Sequence, residues 1–406
     1  MKKSVLYITY DGLADPLGQS QILPYLKLIS QHPRKTYVLS FEKRARLQKY
    51  RESIEADLKS FSIEWKPLAF SSELGTLGKI IDLLKMNIVA FILAIQFKIR
   101  VIHARGHISA LAGLIHKIVL RSKILFDVRG LWVDERVDKG LWLLNKRIDY
   151  VQYRIFKIVE RILFKHADGI VILSHLAVDI VERLGASDKS KIIVIPCCTD
   201  FDYFQPATAV QRVDARKRLC IPPDSLVLGY LGSYGRMYVP ELFLGYIRRA
   251  LTYDKFIWIV IFTSDIKDFT SLINNGLNME MRKKIIIMEV SRSALPELLA
   301  AVDVMLCFIL PTFARLASSP TKISESLAMG IPIITNKGVG DTSKILVDLS
   351  AGILVDLYDR KEVFGTISKL RSLTSFSSME LSNRARQIYG LEVADHRYKL
   401  AYENLE

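Results

Sequence analysis

Short apolar runs typical of buried β-strands alternate with longer segments of helical periodicity in the first half of the chain. Strands that alternate with helices in this way predict a parallel sheet with both faces covered. The first run is followed at once by a loop that contains Gly12 and Gly18. The runs occupy residues 5–10, 37–41, 101–104, 124–128, 169–173 and 192–195.

The same alternation begins again after about residue 200, with runs at residues 226–231, 257–263, 285–288, 302–309, 332–335 and 352–355. Residues 199–223 hold three prolines and few apolar runs, so we place a linker there. A chain of 406 residues also exceeds the size at which one hydrophobic core keeps growing. The sequence therefore predicts two Rossmann-like α/β domains, residues 1–200 and 201–375, facing across a ligand-binding cleft. A C-terminal helix within residues 376–406 is expected to pack back on the first domain.

The net charge of +15 is concentrated in the first half of the chain. Residues 1–200 carry 32 Lys and Arg against 20 Asp and Glu, whereas residues 201–406 carry 25 against 22. Half of all residues are hydrophobic, and the mean hydropathy is +0.21. The excess of cations suits an anionic partner: a bilayer surface, a phosphorylated substrate or a nucleic acid. Nucleic acid ranks last because the sequence contains no module that reads bases.

The cysteines and the N-terminus favour a cytoplasmic protein. Cys197, Cys198, Cys220 and Cys307 show neither a CxxC pair nor zinc-ligand spacing, which favours reduced structural thiols. The first apolar run stops at Asp11 and lacks a cleavage site, so it predicts a β-strand rather than a signal peptide.

Two segments bear on contact with a membrane. Residues 86–97 are strongly apolar but about half as long as a bilayer-spanning helix, which leaves a buried core helix or a helix at a lipid surface. Residues 143–166 predict one long helix whose basic side chains lie beside an apolar stripe. Those basic side chains are either solvated or bound to anionic lipid. We assign the stripe to the core; its members are Leu144, Ile148, Val151, Ile155, Ile158, Val159 and Ile162.

Residues 318–335 predict a helix that begins with an anion site. Ser319 is suited to cap the helix and Pro320 to begin it, and Gly330 is suited to end it. Free N–H groups and the helix dipole favour negative charge at such a helix start. Lys322 adds a cation there, where it opposes the dipole unless an anion binds.

Glu325 shares one face of this helix with Thr321 and Lys322. A carboxylate one turn behind a phosphate site is well placed to accept hydrogen bonds from a ribose diol. The alternative is an ordinary amphipathic helix with a surface ion pair between Lys322 and Glu325.

Residues 325–334 (ESLAMGIPII) resemble the second half of the donor-binding signature of glycosyltransferase family 4, whose members retain anomeric configuration and have the GT-B fold. Ala317 stands where the family has a first glutamate, and Pro320 and Lys322 match a Pro-x-Lys segment found in part of the family. The resemblance implies that Lys322 and Glu325 act in catalysis. It further implies that a nucleotide-diphosphate sugar is bound by Ser319, Thr321, Lys322 and Glu325.

Weaker matches follow the family in order along nearly the whole chain. Residues 15–24 resemble the first loop, where Gly18 lets the backbone approach a phosphate and Asp15 and Gln19 contact the acceptor. Residues 229–233 resemble the strand and loop that open the donor domain, which implies that Gly232 binds the donor. Arg236 is expected to contact the diphosphate, although the lysine that usually follows it is missing. Further matches lie at residues 195–200, 291–303 and 338–341.

Polar residues also follow two predicted strands of the first domain. Arg105 takes the place of a histidine that contacts the donor sugar in relatives, so it is assigned to catalysis. Arg129 and Glu135 follow the next strand and are predicted to contact the acceptor. A histidine beside an apolar strand is more often structural, which is the interpretation favoured for His103.

The resemblance implies a retaining transfer of a sugar from a nucleotide-diphosphate sugar to a glycan or lipid-linked acceptor in cell-surface polysaccharide synthesis. The predicted donor site lacks an Asp-x-Asp metal motif, so neither a metal nor another cofactor is expected. The expected location is the inner face of the cytoplasmic membrane, bound peripherally to anionic lipid. A sugar-nucleotide epimerase or hydrolase of the same fold and a non-catalytic binding subunit stay open as alternatives.

Overall fold

Two compact units make up the chain. The computed structural model describes residues 4–31, 35–71, 75–186, 188–374 and 377–405. Residues up to Pro196 and those from Leu391 onward form the first unit, and Cys197–Gly390 form the second. Each unit is built on one parallel β-sheet, so the prediction of two Rossmann-like α/β domains is confirmed.

The first unit contains a sheet of seven parallel strands in the order β3-β2-β1-β4-β5-β6-β7. The order runs in opposite directions on the two sides of β1, which makes the β1–β4 boundary the topological switch point of the sheet. The strands are β1 (Val5–Thr9), β2 (Thr36–Glu42), β3 (Ile63–Ala69), β4 (Val101–Arg105), β5 (Lys123–Asp127), β6 (Gly169–Ile172) and β7 (Ile192–Val194).

Strand β3 is the one strand of this sheet that the apolar pattern did not predict. It alternates polar and apolar residues and contains Pro67, which cannot donate to a strand ladder. The structure places β3 at the edge of the sheet, where a proline is tolerated.

Three long helices of the first unit lie side by side. Helix α4 packs beside α5, and α5 packs beside α7 and against β4 and β5. The connections that contain them all lead in the same direction across the sheet, so right-handed crossovers place all three on one face. The helices are α1 (Pro16–Gln21), α2 (Leu23–Gln31), α3 (Arg44–Ser60), α4 (Gly75–Gln96), α5 (Gly106–Leu120), α6 (Trp132–Asp138), α7 (Arg147–His166) and α8 (Val178–Arg183).

The assignment of the α7 apolar stripe to the core is wrong. Ile148 is 73% exposed and Ile155 is 52% exposed. Helix α7 instead buries the side that carries Glu160, Leu163 and Phe164. Periodicity identifies an apolar stripe, but it does not tell what covers that stripe.

Helix α4 departs from the core interpretation in the same way. Met86, Ala90 and Ala94 are buried, whereas Ile88 and Ile92 on the other side of the helix are more than half exposed. Within the described ranges, no helix has the length and apolar character that crossing a bilayer requires.

The second unit contains six parallel strands in the order β10-β9-β8-β11-β12-β13. Its strands are β8 (Leu226–Leu231), β9 (Ile257–Phe262), β10 (Ile285–Met288), β11 (Val304–Cys307), β12 (Ile333–Thr335) and β13 (Gly352–Leu354). Its helices are α9 (Ala209–Arg218), α10 (Pro240–Tyr253), α11 (Ile266–Gly276), α12 (Met279–Arg282), α13 (Leu295–Leu299), α14 (Thr321–Ala328), α15 (Thr342–Asp348), α16 (Arg360–Ser368), α17 (Leu370–Leu373) and α18 (Ser378–Tyr389).

Both faces of the second sheet are buried, which explains why its strands are continuously apolar. Val227 and Met305 belong to the core cluster on one face, and Leu228 and Leu306 belong to the cluster on the other. Successive residues of a strand point to opposite faces, so neighbouring residues fill different cores.

The segment predicted as a linker is folded into the second unit. Thr208 and Gln211 form a capping box that begins α9. Arg216 of α9 is buried, and its Nη2 donates to Asp303 Oδ2 over 2.7 Å. Residues 199–223 therefore contribute to the core of this unit.

The chain returns to the first unit later than residue 376. Helix α18 stays in the second unit, where it packs on α14 and Ser382 Oγ donates to the Ala328 carbonyl over 2.7 Å. The last helix, α19 (Leu391–Glu403), lies in the first unit and packs against α2, β6 and β7.

Gly330 at the end of α14 offers a test of this packing. Its φ is +68°, and a Cβ there would overlap the backbone of Ser378. Gly330→Ala should therefore lower the free energy of unfolding by about 2 kcal/mol or more, measured by urea unfolding. Gly365, inside α16 with open space around it, is the matched control. Gly365→Ala should raise stability by about 0.5–1 kcal/mol, and equal effects of the two variants would contradict the tight packing of Gly330.

Candidate functional site

The end of strand β8 and the start of helix α14 bring Gly232 and Lys322 together in the second unit. Gly232 follows β8 with φ +145°, and a Cβ at this position would collide with Lys322 Nζ. The same ammonium lies 5.0 Å from the centroid of the Tyr230 ring and 4.3 Å from that of Tyr238. Within the described residues, no carboxylate lies within salt-bridge distance of Lys322. The cation is held by aromatic rings and backbone.

Helix α14 begins one residue later than expected. Pro320 is its N-cap, with extended backbone, and no side chain caps the helix. Ser319, the expected cap, accepts a hydrogen bond of 3.0 Å from the Cys197 amide at its Oγ. The start of α14 at Thr321 therefore keeps the positive dipole end that favours an anion.

Glu325 is buried one turn into α14, and its partner is Arg292 rather than Lys322. Arg292 Nη1 donates to Glu325 Oε1, so the surface ion pair considered as an alternative is wrong. Burial raises the pKa of the Glu325 carboxyl, and the Arg292 and Lys322 cations offset only part of that rise.

Arg292 is a site residue that sequence reasoning missed. It lies in the connection between β10 and α13, with its guanidinium 4.7 Å from the centroid of the Phe204 ring. Its carbonyl accepts a hydrogen bond of 2.9 Å from the Tyr203 hydroxyl. The available signal was a cation just past the end of a parallel strand, inside the segment 291–303 that resembles the family.

Arg236 and Ala317 stand apart from this arrangement. Arg236 is exposed at the start of a 3-10 turn, and it is Tyr238 of that turn that lies against Lys322. Ala317 is buried at the end of another 3-10 turn, where its methyl group cannot accept a hydrogen bond. Contacts from Ser319, Thr321 and Arg236 to a donor stay predictions.

In the first unit, Arg105 and Arg129 converge on the buried Asp127 at the end of β5. Arg129 Nη2 donates to Asp127 Oδ2 over 2.8 Å, and Arg105 Nη1 lies 3.9 Å from the same oxygen. Burial alone raises the pKa of Asp127, but Arg129, His103 and Arg105 outweigh it, so the pKa is lowered. The two predicted arginines are therefore brought together, and Asp127 is the missed residue that joins them.

His103 belongs to the same buried network. Its Nε2 lies 3.3 Å from Asp127 Oδ2, and its Nδ1 lies 2.6 Å from the Tyr402 hydroxyl in α19. Tyr398 of α19 hydrogen-bonds both Asp127 and Arg129. Burial lowers the pKa of His103, which favours a neutral structural ring.

The first loop of the first unit is held by its own packing. Gly18 lies in α1, where a Cβ would overlap the backbone of Gly12 and Leu13. Glu42 accepts the Leu13 amide over 2.7 Å. Asp15 pairs with Lys43 and with Arg46, each over 3.1 Å. The proposed contacts of Gly18, Asp15 and the partly buried Gln19 with ligands stay predictions.

Glu135 lies in α6, the helix that follows strand β5. It accepts from Lys139 over 3.1 Å, and a Cβ at Gly130 would collide with its Oε1. The neighbouring Asp134 accepts from Tyr153 and Lys157. The predicted contact of Glu135 with an acceptor stays a prediction.

No group of three or more His, Cys, Asp or Glu side chains among the described residues could hold a metal ion. Asp200 and Asp202 have the spacing of an Asp-x-Asp motif. Asp200 Oδ1 accepts the amides of Asp202 and Tyr203, and Asp202 pairs with Arg386 over 3.0 Å.

Comparison with solved structures identifies the fold. No protein-family profile matches the chain, and no curated protein matches it by sequence. The chain is similar to HepE from Anabaena in complex with UDP and glucose, at 12% identity over 99% of this chain and 100% of that chain, with a TM-score of 0.72. Sucrose-phosphate synthase from Thermosynechococcus elongatus gives 15% identity over 100% and 99%, with a TM-score of 0.70. The lipopolysaccharide outer core galactosyltransferase WaaB gives 11% over 98% and 99%, with a TM-score of 0.65. At such identities the likeness shows the fold alone.

The Arg292–Glu325 pair predicts a pH-dependent loss of stability. Arg292→Ala should lower the free energy of unfolding by about 2 kcal/mol at neutral pH, because it leaves a buried carboxylate without its cation. The folded-state pKa of Glu325 is raised, so the folded protein favours the protonated carboxyl. The contribution of this carboxyl to the free energy of unfolding is therefore present at low pH and is lost as pH rises through the folded-state pKa. Removing the cation raises the pKa further, so the deficit of the variant should shrink at mildly acidic pH in urea unfolding.

Two controls separate this effect from a general loss of charge. Arg218 and Glu297 form an ion pair in which both side chains are 65% exposed, so Arg218→Ala should change stability by less than about 0.5 kcal/mol. Adding Glu325→Gln to Arg292→Ala should remove the pH dependence. A deficit that stays constant with pH would contradict the pairing.

Proposed function

We propose that the protein is a glycosyltransferase of the family 4 type, which transfers a sugar from a nucleotide-diphosphate sugar to an acceptor with retention of anomeric configuration. One observation carries the proposal: the Lys322 ammonium lies over the Gly232 backbone at the uncapped start of α14, one turn before the buried Glu325. A cation and a helix start suit a diphosphate, and a carboxylate one turn behind them suits a ribose diol.

In this proposal the donor diphosphate binds at Ser319, Thr321 and Lys322. Gly232 leaves room for the Lys322 side chain, and Arg236 on its exposed turn supplies a second cation. As the glycosidic bond breaks, negative charge grows on the departing diphosphate, and the helix end and Lys322 stabilise it. The acceptor hydroxyl attacks from the same face and gives its proton to the departing phosphate.

Glu325 anchors the nucleotide and does not act as a base. Arg292 contacts Oε1, so we assign Oε2 to the ribose hydroxyls. The Arg292 contact keeps the carboxylate in one orientation inside a buried site, which lowers the entropy lost on donor binding.

The first unit is proposed to bind the acceptor through Asp15, Gln19, Arg129 and Glu135, while Arg105 contacts the donor sugar. Asp11 and Asp127 lie within 3.7 and 3.9 Å of the Arg105 guanidinium and fix its position at the end of β4. The acceptor in this proposal is a glycan or lipid-linked sugar of cell-surface polysaccharide synthesis. The +15 charge, concentrated in residues 1–200, supports peripheral attachment to anionic lipid at the inner face of the cytoplasmic membrane.

The fold neighbours suggest which donors to test first. HepE was crystallised with UDP and glucose, and WaaB is described as a galactosyltransferase. Uridine diphosphate and its glucose and galactose esters are therefore the first probes for this chain.

Donor affinity should depend on Lys322 and Glu325. Lys322→Met and Glu325→Ala should each weaken UDP binding by about 10- to 100-fold in calorimetry, because each removes a charged contact. Lys344→Met is the matched control, since Lys344 pairs with Asp348 on an exposed face of α15. An unchanged UDP affinity of the Glu325→Ala variant would contradict the assignment of the nucleotide site.

Turnover with and without an acceptor distinguishes the remaining functions. Consumption of a nucleotide sugar only when an acceptor is present is expected for a transferase. Consumption without an acceptor would indicate an epimerase or hydrolase. Binding of the nucleotide sugar without any consumption would indicate a non-catalytic binding subunit. Ala317, in place of the family's first glutamate, is the reason to test this alternative. Turnover should persist in EDTA, because charge stabilisation is assigned to Lys322 and the helix end; loss of turnover that magnesium restores would contradict metal independence.

A further inference from the structure

Helix α4 presents a row of large apolar side chains to the outside of the first unit. The buried side carries Met86, Ala90 and Ala94 together with Asp82. The exposed side carries leucines and isoleucines that are between 53% and 60% exposed: Leu77, Ile80, Leu84, Ile88, Ile92 and Ile95. A helix on a water-soluble domain usually buries most of its large apolar side chains, so an exposed row of six is unusual.

The two neighbouring helices also expose large apolar side chains. On α5, Ala112 and Gly113 are buried, whereas Ile115, Ile118 and Val119 are exposed. On α7, the exposed residues include Ile148, Val151, Ile155, Ile158 and Ile162. We call these exposed side chains of α4, α5 and α7 the apolar helix layer.

The apolar helix layer is one surface rather than scattered residues. The three helices are adjacent and lie on one face of the same sheet. Single exposed apolar side chains are normal on proteins, but a contiguous apolar surface on three neighbouring helices marks an interaction site.

The charges of these helices decide what covers the layer. Lys79 and Lys85 of α4 and Arg154, Arg161 and Lys165 of α7 are exposed. None of the acidic residues on the described parts of the three helices is exposed in this way: Asp82 and Glu160 are buried, and Asp149 is partly buried. An apolar surface bordered by cations is complementary to a bilayer with anionic headgroups. A second copy of the same surface would bring cations against cations.

We propose that the apolar helix layer enters an anionic bilayer, with the isoleucine and leucine side chains at the boundary of the acyl chains and the lysines and arginines at the headgroups. The helices lie in the plane of the membrane, since none is suited to cross it. This deepens the proposed peripheral attachment: contact with lipid is apolar as well as electrostatic. It also favours the lipid-linked acceptor over a free glycan, a step that rests on the proposed function.

The test is flotation of the full chain with vesicles of phosphatidylcholine and phosphatidylglycerol in equal parts. The parent should float and should keep a substantial bound fraction at high salt, where purely electrostatic attachment is screened. The triple variant Ile155→Gln, Ile158→Gln, Ile162→Gln should lose roughly tenfold or more of its vesicle partition, because three side chains no longer gain from leaving water. The triple variant Ile88→Gln, Ile92→Gln, Ile95→Gln should lose a similar amount.

The matched control replaces exposed apolar residues on a helix of the second unit. Val210 and Val213 of α9 are 70% and 59% exposed, so Val210→Gln with Val213→Gln makes the same chemical change outside the layer. This control should float like the parent. Substitution of exposed side chains should leave folding intact, which equal UDP affinity of all variants by calorimetry would verify.

The outcomes separate this proposal from the proposed function. Failure of the parent to float, or isoleucine variants that float as well as the parent, would overturn the bilayer assignment and leave the donor site untouched. Sedimentation that shows a parent dimer and monomeric isoleucine variants would also overturn it, because a second copy would then cover the layer. A parent chain that floats with vesicles but does not bind UDP would contradict the assignment of the donor site and leave the bilayer proposal standing.

Discussion

A lysine ammonium held at the positive end of its own helix is the constraint around which the second unit is arranged. The dipole opposes Lys322 by about 0.3–1 kcal/mol, and within the described residues no carboxylate is close enough to neutralise it. The rings of Tyr230 and Tyr238 and the bare backbone of Gly232 supply the place where this cation can stay. Pro320 fixes where the helix begins, and Ser319 is tied to the Cys197 amide. The predicted donor site is therefore already organised in the free protein, an arrangement that favours binding of an anion over water.

The first unit depends on a different buried charge. Asp127 accepts from Arg129 and Tyr398 and lies beside His103 and Arg105, so the ends of β4 and β5 and the last helix meet at one carboxylate. A buried carboxylate is stable only when cations and donors surround it, and this one keeps a lowered pKa despite its burial. The arginines predicted to act on ligands consequently have a structural task as well. Any substitution at Arg129 should disturb the Asp127 network as well as the predicted ligand contact.

The sequence was sufficient for features that depend on local chemistry. The two sheets, the helix that follows Ser319 and its end at Gly330 all follow from apolar runs, proline and glycine. Features that depend on distant pairing were not predictable. Arg292 lies 33 residues before its partner Glu325. Asp127 accepts a hydrogen bond from Tyr398 in the last helix, a contact that the local sequence does not predict. Strand β3 was hidden by Pro67 and by polar residues that an edge position tolerates.

The apolar stripe of α7 shows where a periodic pattern stops being informative. A helix whose apolar side packs on a protein core has the same sequence period as one whose apolar side contacts lipid. The pattern therefore identifies the apolar stripe but does not tell what covers it. Burial in the structure shows that most of the stripe faces away from the core of the unit. Asp82 accepts the Tyr10 hydroxyl and the Ser71 amide, and Lys157 joins Asp134 to Glu160, so polar contacts help to anchor the inner sides of α4 and α7. The isoleucines and leucines that these helices expose contribute little to the core of the unit. Burial of those side chains is favourable only if another apolar surface or medium covers them. The number of exposed side chains does not identify that partner, whereas the charges that border them do.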